Sequence, residues 1–151
     1  MNKKIILGSD HAGFELKEEI KKSLEQIGYE YDDLGIDSKE PCDYPQTAHK
    51  VAKKVAETDG MGILMCGSGL GETIVANKVK GIRAANCFDE YTAKMSREHN
   101  NSNVLCLGAR ILKTDEAKNI AKIFLTTNFS KEERHRRRVK QIMQIEEKTC
   151  K

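Results

Sequence analysis

The sequence predicts a single α/β domain in which one doubly wound, five-stranded parallel sheet lies between two layers of helices, an α/β/α sandwich. Short apolar runs alternate with amphipathic helical stretches along the whole chain. Its 151 residues suit one domain of ordinary size. No stretch has the composition of a linker, and none repeats another. Because strands that alternate with helices are typical of parallel sheets, we expect residues 1–151 to form one domain.

Three strands and two helices are predicted in the first part of the chain. The strands are residues 5–7, 29–34 and 61–65. The first helix carries an apolar stripe at spacings of four, four and three, made of Leu16, Ile20, Leu24 and Ile27. Gly28 ends this helix as a C-terminal cap. After a polar loop, Pro45 opens the second helix, whose apolar face holds Ala48, Val51, Ala52 and Val55.

The remaining strands and helices follow a glycine-rich loop. Helices are predicted at about 72–78, at 89–99, from Thr114 to about 125, and from 131 to about 147, with strands at 82–87 and 104–107. The last helix is extended and opens on a capping box of Ser130 and Glu133. The whole pattern is that of a Rossmann-like sheet.

Composition excludes several classes of protein. The 26 basic and 23 acidic residues leave a net charge of only +3, which does not indicate a nucleic-acid-binding protein. No apolar run is long enough to span a membrane, and the N-terminal run is too short for a signal peptide. The cysteines are odd in number, widely spaced and typical of reduced thiols in the cytoplasm: Cys42, Cys66, Cys87, Cys106 and Cys150. The histidines lack metal-ligand spacing, so we infer no metal.

The functional residues are expected at the carboxyl ends of the strands, where doubly wound sheets bind their ligands. Three segments, 9–11, 66–71 and 108–110, follow strands. In the middle segment, Gly67, Gly69 and Gly71 match neither a dinucleotide fingerprint nor a phosphate loop. Their N–H groups at a helix N-terminus suit a phosphate or a developing enediolate, and the alternative is a purely structural turn.

Cys66 and Glu72 flank this glycine loop and are both candidate bases. Because Cys66 stands directly before a helix, we expect the pKa of its thiol to be lowered, so that a thiolate forms near neutral pH. The alternative is a buried core cysteine, which we favour for Cys87 and Cys106. The local pattern around Glu72 favours a glutamate that only interacts with the helix dipole.

Polar residues elsewhere have structural alternatives as well. Asp10 and His11 follow the first strand and suit phosphate binding or proton transfer, although Asp10 also suits a helix N-cap. His99 precedes two asparagines at a helix end, a pattern typical of C-terminal capping. Arg134 and Arg138 share one helix face and form a candidate phosphate clamp. The alternatives are a solvated basic face and an RNA-binding patch, which the low charge and the lack of tryptophan disfavour.

Eight short blocks, in order along residues 4–146, resemble the type B ribose-5-phosphate isomerases. These lie within a wider sugar-phosphate isomerase family that includes galactose-6-phosphate isomerase subunits. The blocks are GSDHAGF at 8–14, DYP at 43–45, CGSGLG at 66–71, ANK at 76–78, GIRA at 81–84, SREHNN at 96–101, GAR at 108–110 and RHRRRV, matched at Arg134, His135, Arg138 and Val139.

The resemblance implies an isomerase that interconverts ribose 5-phosphate and ribulose 5-phosphate through a cis-enediolate, with neither metal nor cofactor. Cys66 would move the proton between C1 and C2, and the N–H groups of Gly67, Ser68, Gly69, Leu70 and Gly71 would hold the enediolate oxygens. His99, with Ser68 and Asp10, would open the sugar ring. The remaining substrate contacts would come from Asp10, His11, Tyr44, Asn100, Arg110, Arg134 and Arg138.

The resemblance leaves the base open between two residues. Some members lack the cysteine and use a glutamate just after the glycine loop, whereas this chain has both Cys66 and Glu72. We favour Cys66. Many cysteine-using members also have threonine where this chain has Ser68, which keeps the hydroxyl.

Substrate and assembly follow from the same resemblance. Family members form homodimers, or tetramers, with shared active sites, and their partner is a small sugar phosphate rather than nucleic acid or membrane. The alternative substrate is a six-carbon sugar phosphate, such as allose or galactose 6-phosphate. A binding module without catalysis, for a sugar phosphate or RNA, is a further alternative, but the set of acid, base and phosphate-binding candidates disfavours it.

Overall fold

A computed structural model describes residues 4–149, so Cys150 lies outside the described part of the chain. The elements in chain order are β1 (Ile5–Ser9), α1 (Phe14–Gln26), β2 (Tyr31–Asp33), α2 (Tyr44–Thr58), β3 (Met61–Cys66), α3 (Leu70–Ala76), β4 (Ala84–Asn86), α4 (Glu90–Asn100), β5 (Val104–Gly108), α5 (Thr114–Thr126) and α6 (Glu133–Thr149).

The predicted fold class is confirmed. The five strands pair in parallel in the order β2-β1-β3-β5-β4. One face of the sheet packs against α1, α4 and α5 in a core centred on Leu7, Ile63 and Phe124. The other face packs against α2 and α3 around Leu64 and Cys106. Helices therefore cover both faces, as the continuous apolar strands require.

The C-terminal helix begins later than predicted. The hydroxyl of Ser130 accepts a hydrogen bond from the Glu132 N–H at 3.1 Å, rather than closing a box with Glu133. The helix then runs for 17 residues from Glu133. It buries His135 and Val139, so its basic residues on the other sides remain exposed.

The apolar stripe of α1 is partly wrong. Leu16, Ile20 and Leu24 are buried, but Ile27 is 40% exposed because the helix has ended before it. Lys17, which the stripe omitted, is instead 1% exposed. Its ammonium lies 2.8 Å from an Asp33 carboxylate oxygen and donates to the Ile36 carbonyl at 2.5 Å, so this buried charge is paired.

Other predicted features of the helix ends are confirmed. Gly28 has φ +80°, and Asn101 has φ +47° after α4, as left-handed caps require. Cys87 and Cys106 are buried, as predicted.

Two features are absent from the described residues. Within residues 4–149, no helix is long and apolar enough to cross a bilayer, and no His, Cys, Asp and Glu side chains cluster in a metal-binding arrangement.

Helix α1 approaches the sheet closely at Gly13. A methyl group added at Gly13 would lie 2.0 Å from the carbonyl oxygen of Met65, which belongs to the last registered pair between β1 and β3. That oxygen already accepts the Asp10 N–H at 3.3 Å. The loop between β1 and α1 can therefore pass this close to β3 only because residue 13 is a glycine.

We expect Gly13→Ala to lower the free energy of unfolding by about 1–3 kcal/mol, because backbone must move to admit the methyl group. Urea denaturation measures this change. The matched control is Gly60→Ala, whose methyl group would meet chiefly the movable Thr58 side chain. An equal loss in both variants would contradict the proposed close approach.

Candidate active site

A cleft of about 470 Å³ opens at the carboxyl edge of the sheet. It is lined by loops that follow β1, β3 and β5 and by the start of α2. Its residues are Asp10, His11, Ala12, Tyr44, Cys66, Gly67, Ser68, Gly71, Arg110 and Ile111. The structure thus brings together eight of the residues that the sequence selected, as the rule for parallel sheets predicts.

Strand register places the two sides of the cleft. Cys66 pairs in register with Gly108, so the segments after β3 and β5 leave the sheet side by side. The Arg110 N–H donates to the Gly67 carbonyl at 2.9 Å. The Arg110 guanidinium also lies over Gly67, 3.3 Å from where a side chain would begin. The exposed cation of Arg110 is therefore held against the glycine loop.

The glycine loop turns its backbone toward the Cys66 sulfur. Gly69 has φ +79°, and its N–H donates to Sγ at 3.1 Å. The Leu70 N–H is directed to the Ser68 hydroxyl at 3.3 Å. A side chain at Gly71 would lie 2.5 Å from the ring of Tyr44, so its absence lets α2 close the cleft. Within this loop, the Gly69 N–H therefore already serves the thiol.

The expectation of a lowered pKa for Cys66 is wrong. Burial and the nearby Glu72 carboxylate raise the pKa of the thiol to about 11, against the opposing effect of the N–H groups of Gly69, Glu72 and Ser68. The side chain is only 5% exposed. Desolvation of the thiolate outweighs its interaction with the start of a short helix.

Glu72 lies in the first turn of α3, as the helix-dipole interpretation requires, but it is buried, which that interpretation did not anticipate. Helix α3 begins at Leu70, two residues before its predicted start, and turns Glu72 into the protein. Its side chain is 0% exposed. Burial, with a contribution from Asp10, raises the pKa of the carboxyl to about 8, and the neighbouring Cys66 thiol partly offsets this rise. Cys66 and Glu72 therefore form one buried acidic pair.

Asp10 and His11 are held by hydrogen bonds to backbone. A carboxylate oxygen of Asp10 accepts the Gly13 N–H at 3.0 Å, so Asp10 stabilises the turn before α1, whose N-cap position is Gly13. Nδ1 of His11 accepts the Cys42 N–H at 3.2 Å. These bonds leave the other edge of each side chain toward the cleft that both residues line.

His99 and Asn100 lie at the amino ends of the strands, opposite the carboxyl ends that form the cleft. They end α4, and Asn103, just after it, accepts the Gly62 N–H at the start of β3. Cys66 ends that strand. Because a strand rises about 3.3 Å per residue, the five residue steps of β3 place its two ends about 16 Å apart. The structure therefore does not bring His99 and Asn100 to the cleft of their own chain.

Arg134 and Arg138 lie near His99 and away from the cleft. The ring of His135, between them on α6, stacks on His99 with centroids 4.1 Å apart and planes 8° from parallel. His135 is 3% exposed. Desolvation, then the neighbouring His99, lowers the pKa of His135. The two arginines are exposed beside this histidine stack.

Sequence reasoning missed two features of these surfaces. Ile111 lines the cleft, yet an exposed isoleucine after a strand carries no chemical signal. The stacking of His99 on His135 joins residues 36 positions apart by number, and only the packing of α6 on α4 reveals it. The two histidines stand in blocks that the sequence had already selected, but their contact needs the fold.

Comparison with known proteins supports the resemblance to sugar-phosphate isomerases. The family model described as Ribose/Galactose Isomerase matches residues 5–142. Ribose-5-phosphate isomerase B of Escherichia coli is 46% identical over 148 residues, which cover 97% of this chain and 98% of the relative.

Solved structures agree with that match. Ribose-5-phosphate isomerase B of Clostridium thermocellum has a TM-score of 0.91 at 48% identity, covering 96% of this chain and 98% of that one. The Mycoplasma genitalium protein, solved with bound ribulose-5-phosphate, has a TM-score of 0.92 at 40% identity, with 97% of each chain covered. Because its fold and nearly its whole sequence match, this chain belongs to the ribose/galactose isomerase family.

Proposed function

We propose that this chain is an aldose–ketose isomerase that interconverts ribose 5-phosphate and ribulose 5-phosphate. The observation that carries the proposal is the buried Cys66 thiol in a cleft that Asp10, His11 and Arg110 also line, in a chain of this family. Relatives named ribose-5-phosphate isomerase B match nearly its whole length. One of them holds ribulose-5-phosphate in its solved structure. A cleft of about 470 Å³ accommodates such a sugar phosphate.

The chemistry starts with the open-chain aldose. Cys66, as thiolate, takes the proton from C2, the C2–H electrons form the C1=C2 bond, and the carbonyl oxygen becomes an enediolate oxygen. The O2 hydroxyl proton then moves to O1, the electrons on O2 form the C2=O bond, and the C1=C2 electrons take the proton that the thiol returns to C1. N–H groups between Gly67 and Gly71 hold the enediolate oxygens, an interaction that is strongest where water is excluded.

Substrate binding and ring opening use residues from both edges of the sheet. Asp10, His11 and Tyr44 hold the sugar, and Arg110 binds the phosphate within one chain. His99 donates the proton that opens the furanose ring, with help from Ser68 and Asp10. Asn100 contacts the sugar, and the guanidinium groups of Arg134 and Arg138 complete the phosphate site.

The chain acts as a homodimer, or a tetramer, in the cytoplasm. Because about 16 Å of strand separates Cys66 from the edge that carries His99, a second copy supplies His99, Asn100 and the two arginines. Large apolar side chains are available to bury between copies: Leu70, Ile74, Phe88, Tyr91, Ile111, Ile142, Met143 and Ile145 are each at least 42% exposed. Free cysteines fit a reducing compartment.

We expect Cys66→Ala to lower kcat for ribose 5-phosphate by about 10²–10⁴-fold, because the base is lost. The measurement is ribulose 5-phosphate formation with a chelator present. Cys87→Ala, which removes another buried thiol, is the control and retains activity. A wild-type chain that turns over only six-carbon sugar phosphates would contradict the proposed substrate.

Mixing two inactive variants tests the shared site. In a dimer of one Cys66→Ala and one His99→Asn chain, one site carries both defects and the other carries neither. Random mixing should therefore restore about one quarter of wild-type activity. Each variant unfolded and refolded alone is the control. No gain on mixing would place the whole site in one chain.

A further inference from the structure

Glu72 is a buried carboxyl that the reaction described above does not use. Its side chain is 0% exposed, and neither of its oxygens makes a hydrogen bond of good geometry among residues 4–149, although the Cys66 thiol and the Asp10 N–H lie close enough to favour its charged form. A buried polar group without a partner destabilises a protein. An apolar residue at this position would fill the same space without that penalty. The carboxyl therefore calls for a functional explanation.

The surroundings of Glu72 point to the Cys66 thiol. Cys66 ends β3, and Glu72 lies in the first turn of α3 immediately after the glycine loop. Both side chains are buried at this junction, at 5% and 0% exposure, and the thiol lies within reach of the carboxyl group. The Gly69 N–H donates to the sulfur at 3.1 Å, a contact that also suits a thiolate.

Other ionisable groups face the pair from the neighbouring elements. Asp10, after β1, is 6% exposed, and its charge disfavours ionisation of Glu72. Cys106, on β5, is fully buried, and that burial, with a smaller contribution from Glu72, raises the pKa of its thiol. His11, Tyr44 and Arg110 line the cleft above. The exposed Arg110 guanidinium lies over Gly67.

We propose that Glu72 accepts the proton of the Cys66 thiol, so that the two side chains hold one mobile proton between them. The step is an exchange in which the S–H bond breaks, a carboxyl O–H bond forms, and the negative charge moves from Glu72 to sulfur. The thiolate then carries the substrate proton from C2 to C1 and is regenerated. Glu72 acts through Cys66 and is a positioning residue for its proton. The inference rests on the proposed isomerase function.

The physical reason is that the thiol is a weak acid in this site. Desolvation raises the pKa of Cys66 to about 11, so few thiolates form by loss of a proton to solvent near neutral pH. A carboxylate beside the sulfur accepts the proton without a charge leaving the buried pair. The pair is active when it holds a single proton, which is the state above the first apparent pKa, about 8 for Glu72.

Glu72→Gln separates the proposed role from a structural one, because it should move two readouts in opposite directions. Without the proton acceptor, kcat for ribose 5-phosphate should fall at least tenfold, with KM little changed. Without the negative charge, the pKa of Cys66 should fall, so iodoacetamide should alkylate Cys66 faster at pH 8. Peptide mapping by mass spectrometry reports Cys66 separately from Cys42.

Two further measurements complete the test. In the wild type, kcat/KM should rise with pH through about 8, and Glu72→Gln should abolish that rise. In Glu72→Ala, added formate should restore part of kcat, whereas chloride at equal ionic strength should not. Circular dichroism checks that each variant folds.

Unchanged kcat in Glu72→Gln, together with faster alkylation, would overturn the proposal, because the carboxylate would then only hinder the thiol. Activity that survives Cys66→Ala but not Glu72→Gln would also overturn it, since Glu72 would itself be the base. A wild type inactive on ribose 5-phosphate refutes the proposed function instead. The alkylation measurement needs no turnover and separates that failure from this one.

The stability of the fold offers an independent check that Glu72 titrates as described. Since the pKa of Glu72 is about 8 in the folded chain and near 4.5 as a free carboxyl, the folded state binds more protons between these values. The contribution of Glu72 to the free energy of unfolding should therefore fall as pH rises from about 4.5 to 8. Urea denaturation of Glu72→Gln should lack that fall. An identical pH dependence in both proteins would contradict the raised pKa.

Discussion

The parallel pairing of β1, β3 and β5 is the constraint on which the site depends. It aligns the ends of three strands, so that Asp10, Cys66 and Arg110 leave the sheet at one edge. The helices that follow must then cross this edge, and the close approach of Gly13 to β3 allows the first of them to do so. The same pairing also explains why His99 and Asn100 are absent from the cleft of their own chain. Helix α4 runs back toward the amino ends of the strands before it ends.

Desolvation decides the chemistry of the aligned groups. A thiol at the start of an exposed helix becomes more acidic, but the cores on either side of β3 exclude water from Cys66 and Glu72 alike. Both groups then favour their neutral forms, and each makes ionisation of the other harder. Two acids that resist ionisation beside one another exchange a proton more readily than either releases one to solvent, which is the basis of the Cys66–Glu72 inference.

The fold was predictable because the residues that specify each strand and each helix end lie close together in the sequence. Apolar runs, Gly28 and Pro45 mark strands and helix ends within a few residues of sequence. The polar residues at the strand ends followed from the rule for parallel sheets. What sequence could not give is burial: the helix period leaves open whether Glu72 or Lys17 faces water, and only the packed neighbours decide it. The wrong pKa direction for Cys66 has the same cause.

The separation of the two functional edges explains why some candidate residues stand apart within one chain. His99 is held against His135, whose neighbours on α6 are exposed arginines, so one edge presents a histidine and cations. The other edge presents a thiol, one carboxylate and a single arginine. A sugar phosphate needs cations at its phosphate, an acid at its ring oxygen and a base at C2. Since each edge supplies only part of that set, the proposed assembly of two copies supplies the whole set twice.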